Sequence, residues 1–227
     1  MSSVAVRILN QVERVFHAFG VLLVRPLQRY GRRTTLPAYE QGWDYARYCT
    51  LELAAAEIRN AGIAGSVAEV GVYRGNFAEK LNRVFPDRKL YLFDTFEGFA
   101  AEDVAIETAE KFSTGEQDFS GTSVDAVLAR LQHPDRAVVK KGRFPETATD
   151  IDDDFVFVSL DADLYLPTIE GLRFFYPRLA HGGFIFVHDY NNAEYEGIRR
   201  AVHEFCEAEN IGFVPISDAF GTAIIVK

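Results

Sequence analysis

Two short apolar runs, Phe155–Leu160 and Phe184–Val187, lack the in–out alternation of a half-solvated strand and are too short and too rich in aromatic and β-branched residues for buried helices. The pattern predicts strands covered on both faces, as in a parallel sheet. Between them Leu166, Ile169, Leu172, Tyr176 and Leu179 recur at helical spacing, with Pro167 in the first turn and Gly182-Gly183 past the end. That is a β-α-β unit, with the right-handed crossover such units almost always take.

The same pattern extends to both sides. Ser66–Gly71, Lys89–Phe93 and Ala137–Val139 read as strands, with helices over Gly75–Phe85 and around Val124, Val127, Leu128 and Leu131. A helix over Glu194–Glu209 turns Ile198, Val202 and Phe205 inward, and Phe213–Ile216 and Ala223–Val226 form a closing pair of strands. Seven strands with helices between them predict a doubly wound, Rossmann-like α/β fold over residues 63–227. Before it, Val4, Ile8, Val12, Val15, Phe19 and Leu22 mark one face of an amphipathic helix, expected to pack on the domain or a partner subunit of a homo-oligomer. After a basic link over 25–37, a second helix over Glu40–Asn60 carries Trp43, Tyr45, Tyr48 and Leu51 on one side, read as core ahead of pocket wall. Residues 1–62 are thus expected to be a helical extension. Residues 95–121 are acidic and glycine-punctuated, and a connection of that length predicts a partly helical lid.

Chemistry gathers where the predicted strands end. Strands about 5 Å apart would bring Asp161, His188 and Asp189 together at the carboxyl edge of the sheet, where open α/β sheets bind ligands. Asp163 either joins them or caps the next helix. The turn Gly71-Val72-Tyr73-Arg74-Gly75 lets backbone approach a ligand at both glycines. Tyr73 stands where a pyrophosphate-binding turn needs glycine, which argues against a dinucleotide. Glu69, two residues before the turn, suits a ligand with an ammonium group. Asp94, ending the second strand, is placed to accept hydrogen bonds from ribose hydroxyls. The acid run Asp150–Asp154 precedes its strand, lies at the opposite edge and reads as a solvated turn.

A net charge of −9 argues against nucleic acid as a partner. Residues 1–33 run the other way, with six arginines against one glutamate. Polar residues interrupt Val4–Val24 too often for a signal sequence or a membrane span, and attachment to a membrane surface is the lesser expectation. Cys49 and Cys206 suggest reduced thiols in a cytoplasmic protein.

Five ordered blocks are familiar: Glu69–Gly75 (EVGVYRG), Phe93–Phe99 (FDTFEGF), Gly142–Thr147 (GRFPET), Leu160–Tyr165 (LDADLY) and His188–Tyr190 (HDY). They resemble the macrocin O-methyltransferase family, enzymes of the class I fold that use S-adenosylmethionine and magnesium to methylate sugar hydroxyls, and the likeness covers about residues 40–205. The resemblance implies cofactor contacts at Glu69, Gly71, Tyr73, Gly75, Asp94, Thr95, Gly142, Phe144 and Asp161, with Asp161, His188 and Asp189 as metal ligands. It implies a small hydroxylated acceptor, possibly a sugar. The family usually has Asp-Asp-Tyr where this chain has His188-Asp189-Tyr190, and imidazole suits manganese, iron or zinc better than magnesium. Asp161 and His188 are therefore expected to act in catalysis, either on a divalent ion (Mg2+ or Mn2+) that activates the hydroxyl, or without metal, with His188 as general base. A non-catalytic domain that binds a nucleoside ligand is the remaining alternative.

Overall fold

A computed structural model describes Val12, Val15, Phe16 and residues 44–227. Most of the helix expected over Val4–Val24, and the basic link, lie outside the described residues. Val12, Val15 and Phe16 are helical and exposed. Residues 39–227 form one compact unit and 1–38 another.

The larger unit opens with helix α1 (Tyr45–Asn60), followed by β1 (Ser66–Val70), α2 (Asn76–Val84), β2 (Leu90–Asp94) and α3 (Ala101–Ala109). The short helix α4 (Val124–Leu128), β3 (Ala137–Lys141), β4 (Phe155–Leu160), α5 (Tyr165–Arg178), β5 (Leu179–Val187), α6 (Glu196–Glu209), β6 (Val214–Ile216) and β7 (Thr222–Val226) complete it. Strand order is β3-β2-β1-β4-β5-β7-β6, parallel through β5 and antiparallel at β7 and β6. All seven expected strands are present. The chain reverses its direction of travel between β1 and β4, so a topological switch point lies there.

Strands covered on both faces need apolar residues of both parities, and β2 supplies them. Tyr91 and Phe93 face a core shared with α5 and α6, and Leu90 and Leu92 face a core shared with α1 and α2. Phe175 of α5 is fully buried among the rings of Phe93, Phe144, Phe155 and Phe174, with centroids 4.9–5.9 Å away. Emptying such a position costs about 3–5 kcal/mol.

The ladders run one bond past the strand ends. Gly142 N–H donates to Asp94 O at 2.9 Å, Gly71 to Phe93 O at 2.9 Å, Asp161 to Val70 O at 2.8 Å and His188 to Leu160 O at 2.9 Å. Four parallel strands therefore deliver Asp94, Gly71, Asp161 and His188 to one edge.

Three expectations change. Leu179 begins β5 instead of ending α5, because β5 is longer than its apolar run: Gly182 (φ +82°) and Gly183 lie inside it, and a Cβ on Gly183 would meet Val156 O at 3.0 Å. The acid run is more than a solvated turn, since Asp153 accepts hydrogen bonds from Ser66 Oγ, Lys89 Nζ and Tyr91 OH at 2.7–3.0 Å. The expected lid divides in two. Its first half is α3, anchored by Asp103 to Arg143 (2.7 Å) and by Glu107 to Tyr165 N–H (2.9 Å). Residues 110–123 have no regular structure and lay Phe119 against Tyr73 and Phe99, centroids 5.1 Å apart in each case.

Candidate active site

A cavity of about 530 Å³ opens along the carboxyl edge over the switch point. Its floor is the turn after β1. Gly71 has φ +84°, and a Cβ there would meet Asp161 O at 1.9 Å, so only glycine lets β1 and β4 close up at this level. Gly75 (φ +75°) starts α2. Tyr73, at φ +48°, holds a left-handed conformation uncommon outside glycine.

Asp94 braces this turn. Its Oδ2 accepts from Val72 and Tyr73 N–H at 2.7 and 2.8 Å, and its Oδ1 accepts from Phe96 N–H at 2.6 Å. Three of roughly four lone-pair sites are thus committed to backbone. Thr95 lines the cavity, but its hydroxyl donates to Gly98 O and accepts from Glu97 N–H, so it serves its own turn. Gly142 and Phe144 line the cavity beside them.

Glu69 also lines the cavity and is 1% exposed, and its Oε2 has no hydrogen-bond partner among the described residues. Burial first, and then the charge of Asp161, push its carboxyl well above the ordinary range despite Arg47. An unpartnered buried carboxylate oxygen over a turn with no side chain at Gly71 fits the ammonium end of S-adenosylmethionine.

On the other side of Asp161 the sequence expectation is incomplete. Arg47 of α1, 3% exposed, donates through Nη1 and Nη2 to Asp161 Oδ2 at 3.1 Å each, and through Nη2 to Ser159 Oγ at 3.0 Å. Its guanidinium lies 3.9 Å from the Phe77 ring centroid. His188 Nδ1 stands between Asp161 Oδ1 at 3.0 Å and Asp189 Oδ2 at 2.8 Å. Asn192 Nδ2 donates to Asp189 Oδ1 at 2.8 Å. Burial alone would raise the pKa of Asp161, but the charges of His188 and Arg47 outweigh it and hold the carboxyl well below its usual range. Burial and Arg47 push His188 down, yet Asp161 and Asp189 bring it up to about 10. Burial, then the charges of Asp161 and Asp189, push the Asp163 carboxyl well above its ordinary range. Asp163 and Asp189 both hold left-handed backbone, at φ +60° and +57°.

Asp161, His188 and Asp189 do come together, with donor atoms within 4.8 Å of one another. All four carboxylate oxygens are nevertheless engaged, with Nδ1 of His188 twice, Arg47 and Asn192. The repulsion that would call for an ion is already relieved by a guanidinium and an imidazolium. The three residues are grouped closely enough to hold a divalent cation, and to do so His188 would give up the Nδ1 proton that it now shares between the two carboxylates.

Residues 43–224 match the macrocin O-methyltransferase family. The chain belongs to that family. It is an S-adenosylmethionine-dependent O-methyltransferase by membership. Among curated relatives, a tetracenomycin rhamnosyl 4'-O-methyltransferase of Streptomyces olivaceus is 27% identical over 80% of this chain and 70% of its own. Mycinamicin III 3''-O-methyltransferase of Micromonospora griseorubida is 27% identical over 66% of this chain and 63% of its own. The fold is shared with the O-methyltransferase NovP, at a TM-score of 0.65 and 20% identity over 81% of this chain and 80% of that one. A calicheamicin methyltransferase has a TM-score of 0.64 and 18% identity over 79% and 78%.

Within this family member, sequence reasoning missed Arg47, Asp44 and the Arg143–Asp103 pair. Arg47 had a signal. It stands at the head of the stripe Arg47, Leu51, Ala54, Ile58 on α1, all buried, and a charge on an apolar stripe requires a buried partner.

Proposed function

We propose that this enzyme transfers a methyl group from S-adenosylmethionine to a hydroxyl of a sugar carried on a natural product. The observation that carries the reading is the edge on which Gly71, Asp94, Asp161 and His188 are stitched into one cavity. The two curated relatives named above, which act on such sugars, support the acceptor class. When bound, S-adenosylmethionine supplies a methyl on a sulfonium sulfur, open to in-line attack.

The chain's own residues supply binding, orientation and a proton acceptor. Glu69 receives the ammonium group, which restores its charge. Asp94 holds the turn and has one lone-pair site left, on Oδ1, for a ribose hydroxyl. Phe144 gives the adenine an apolar wall. The acceptor enters beside Asp161, His188 and Asp189. An oxygen that has just gained a methyl while keeping its proton is a strong acid, so a carboxylate suffices to take that proton. We assign this to the Asp161–Asp189 pair, with His188 as the imidazolium that positions both carboxylates. Asp161 and Asp189 raise the pKa of His188 and so favour its protonated form, which supports a positioning role over the general-base role expected from sequence. Magnesium or manganese on Asp161, His188 and Asp189 has no part in this reading. Cys49 and Cys206 are not joined in a disulfide, which supports a cytoplasmic setting.

The test is incubation with S-adenosylmethionine and a panel of glycosylated polyketides and nucleotide sugars, in buffer holding both magnesium and manganese, followed by mass spectrometry. A product one methyl heavier, absent with Asp161→Asn, is expected. Turnover by Asp161→Asn at the wild-type rate would overturn the assignment.

A further inference from the structure

His188 has a second face. Its Nδ1 is taken by the two carboxylates, while Nε2 is buried and has no hydrogen-bond partner among the described residues. Two other buried atoms are equally bare: Oδ1 of Asp44, just before α1, and Oδ1 of Asp218, in the turn between β6 and β7. His188 is 5% exposed and Asp44 2%. Donor atoms of Asp44, His188 and Asp218 lie within 4.8 Å of one another. Buried atoms that make no hydrogen bond, on side chains gathered so closely, can share one ion. Each unpartnered buried polar atom otherwise costs about 1–3 kcal/mol.

We propose that Asp44, His188 Nε2 and Asp218 form a binding site for a divalent transition-type cation. The other atoms of the same side chains support it. Asp44 Oδ2 lies 3.8 Å from Arg47 Nη1 and Asp218 Oδ2 accepts from Thr222 Oγ1, so each carboxylate is held on one side and open on the other. Nδ1 of His188 faces Asp161 and Asp189, and a metal-bound imidazole typically gives its other N–H to a carboxylate in this way, fixing ring and tautomer. The cation takes the place of the Nε2 proton, so in the loaded protein the ion supplies the positive charge while the N–H on Nδ1 still positions both carboxylates. One nitrogen and two carboxylates select manganese, iron or zinc over magnesium and calcium. Asp44 and His188 also line the cavity. The remaining coordination positions would therefore go to water or to acceptor oxygens. The methionine-bearing cofactor binds elsewhere along the edge, so the site stands apart from the identity of the acceptor.

The probe is Mn2+, titrated into chelator-stripped protein and followed by electron paramagnetic resonance, with Zn2+ in a parallel calorimetric arm. We expect one ion per chain. Asp44→Asn and Asp218→Asn should each weaken binding at least about tenfold, leaving far-ultraviolet circular dichroism and S-adenosylhomocysteine binding intact. Asp161→Asn should keep the ion. Loss of the ion from Asp161→Asn with retention in Asp218→Asn would move the metal to the other face of His188 and overturn the proposal. No binding of either metal at millimolar concentration, meaning that water alone occupies the three atoms, would overturn it as well.

Discussion

Arg47 and Asp161, 114 residues apart, meet with both terminal guanidinium nitrogens at 3.1 Å from a single carboxylate oxygen. The contact ties α1 to the end of β4 and sets a guanidinium charge against the Asp161 carboxylate. Removing one member of a buried pair strands the other, at a cost of about 3–5 kcal/mol, and the 22% exposure of Asp161 places this case toward the low end. Arg47→Met should therefore lower stability by about 3 kcal/mol in urea denaturation. The double variant with Asp161→Asn should cost less than the two single costs added, by at least about 1 kcal/mol. Simple additivity would mean that the pair does not act as a unit.

Glu69 supplies a second prediction. Glu69→Gln removes the charge that faces the ammonium, so affinity for S-adenosylmethionine should fall by about 1.5–3 kcal/mol, the range for hydrogen bonds to charged groups. Methylthioadenosine, which lacks the amino acid portion, should bind wild type and variant alike. Equal loss for both ligands in calorimetry would place Glu69 away from the amino group.

What the chain disclosed in advance has a physical basis. Buried parallel strands must be apolar on both faces, so Phe155–Leu160 and Phe184–Val187 stood out without context, and the residues after them could be assigned to one edge. Asp161, His188 and Asp189 followed from that alone, and Glu69 and Gly71 from the strand Ser66–Gly71 and its glycine turn. Asp94 was placed correctly, but its hydrogen bonds were not foreseeable, because its partners are the backbone of a turn 21 and 22 residues earlier. Asp44 and Asp218 were illegible for another reason. Each stands outside a regular element, and nothing local marks either as buried until α1 and the β6–β7 turn fold over His188.

The division of residues 95–121 leads to a proteolysis experiment. Lys111 is exposed, is the one lysine or arginine in that span, and lies just after the anchored helix α3. Trypsin should cut there early, and S-adenosylhomocysteine should slow the cut if Phe119, Tyr73 and Phe99 close over ligand. Cleavage at the same rate with and without ligand would remove the lid role from residues 110–121.

Glu107 governs a pH dependence. It is fully buried, and burial raises its carboxyl above the ordinary value of 4.5, against the opposing hydrogen bonds from Tyr165 N–H and Ser113 Oγ. A carboxyl whose folded pKa lies above its unfolded one holds its proton more firmly when folded. The stability this lends is complete below about 4.5 and is lost as pH climbs through the folded value. Glu107→Gln keeps an acceptor for Tyr165 N–H and cannot ionise. Its melting temperature should fall less than that of wild type between about pH 5 and about pH 8. Parallel curves for the two proteins would show that Glu107 does not titrate in that window.

The central claim is that the edge between β1 and β4 receives S-adenosylmethionine on a turn held by Asp94, and calorimetry of S-adenosylhomocysteine binding to wild type and Asp94→Ala tests it most directly. Loss of the brace frees three N–H groups and removes the ribose acceptor, so affinity should fall by at least about 1.5–3 kcal/mol, roughly tenfold to a hundredfold. Wild type that fails to bind, or Asp94→Ala that binds as tightly as wild type, would contradict it.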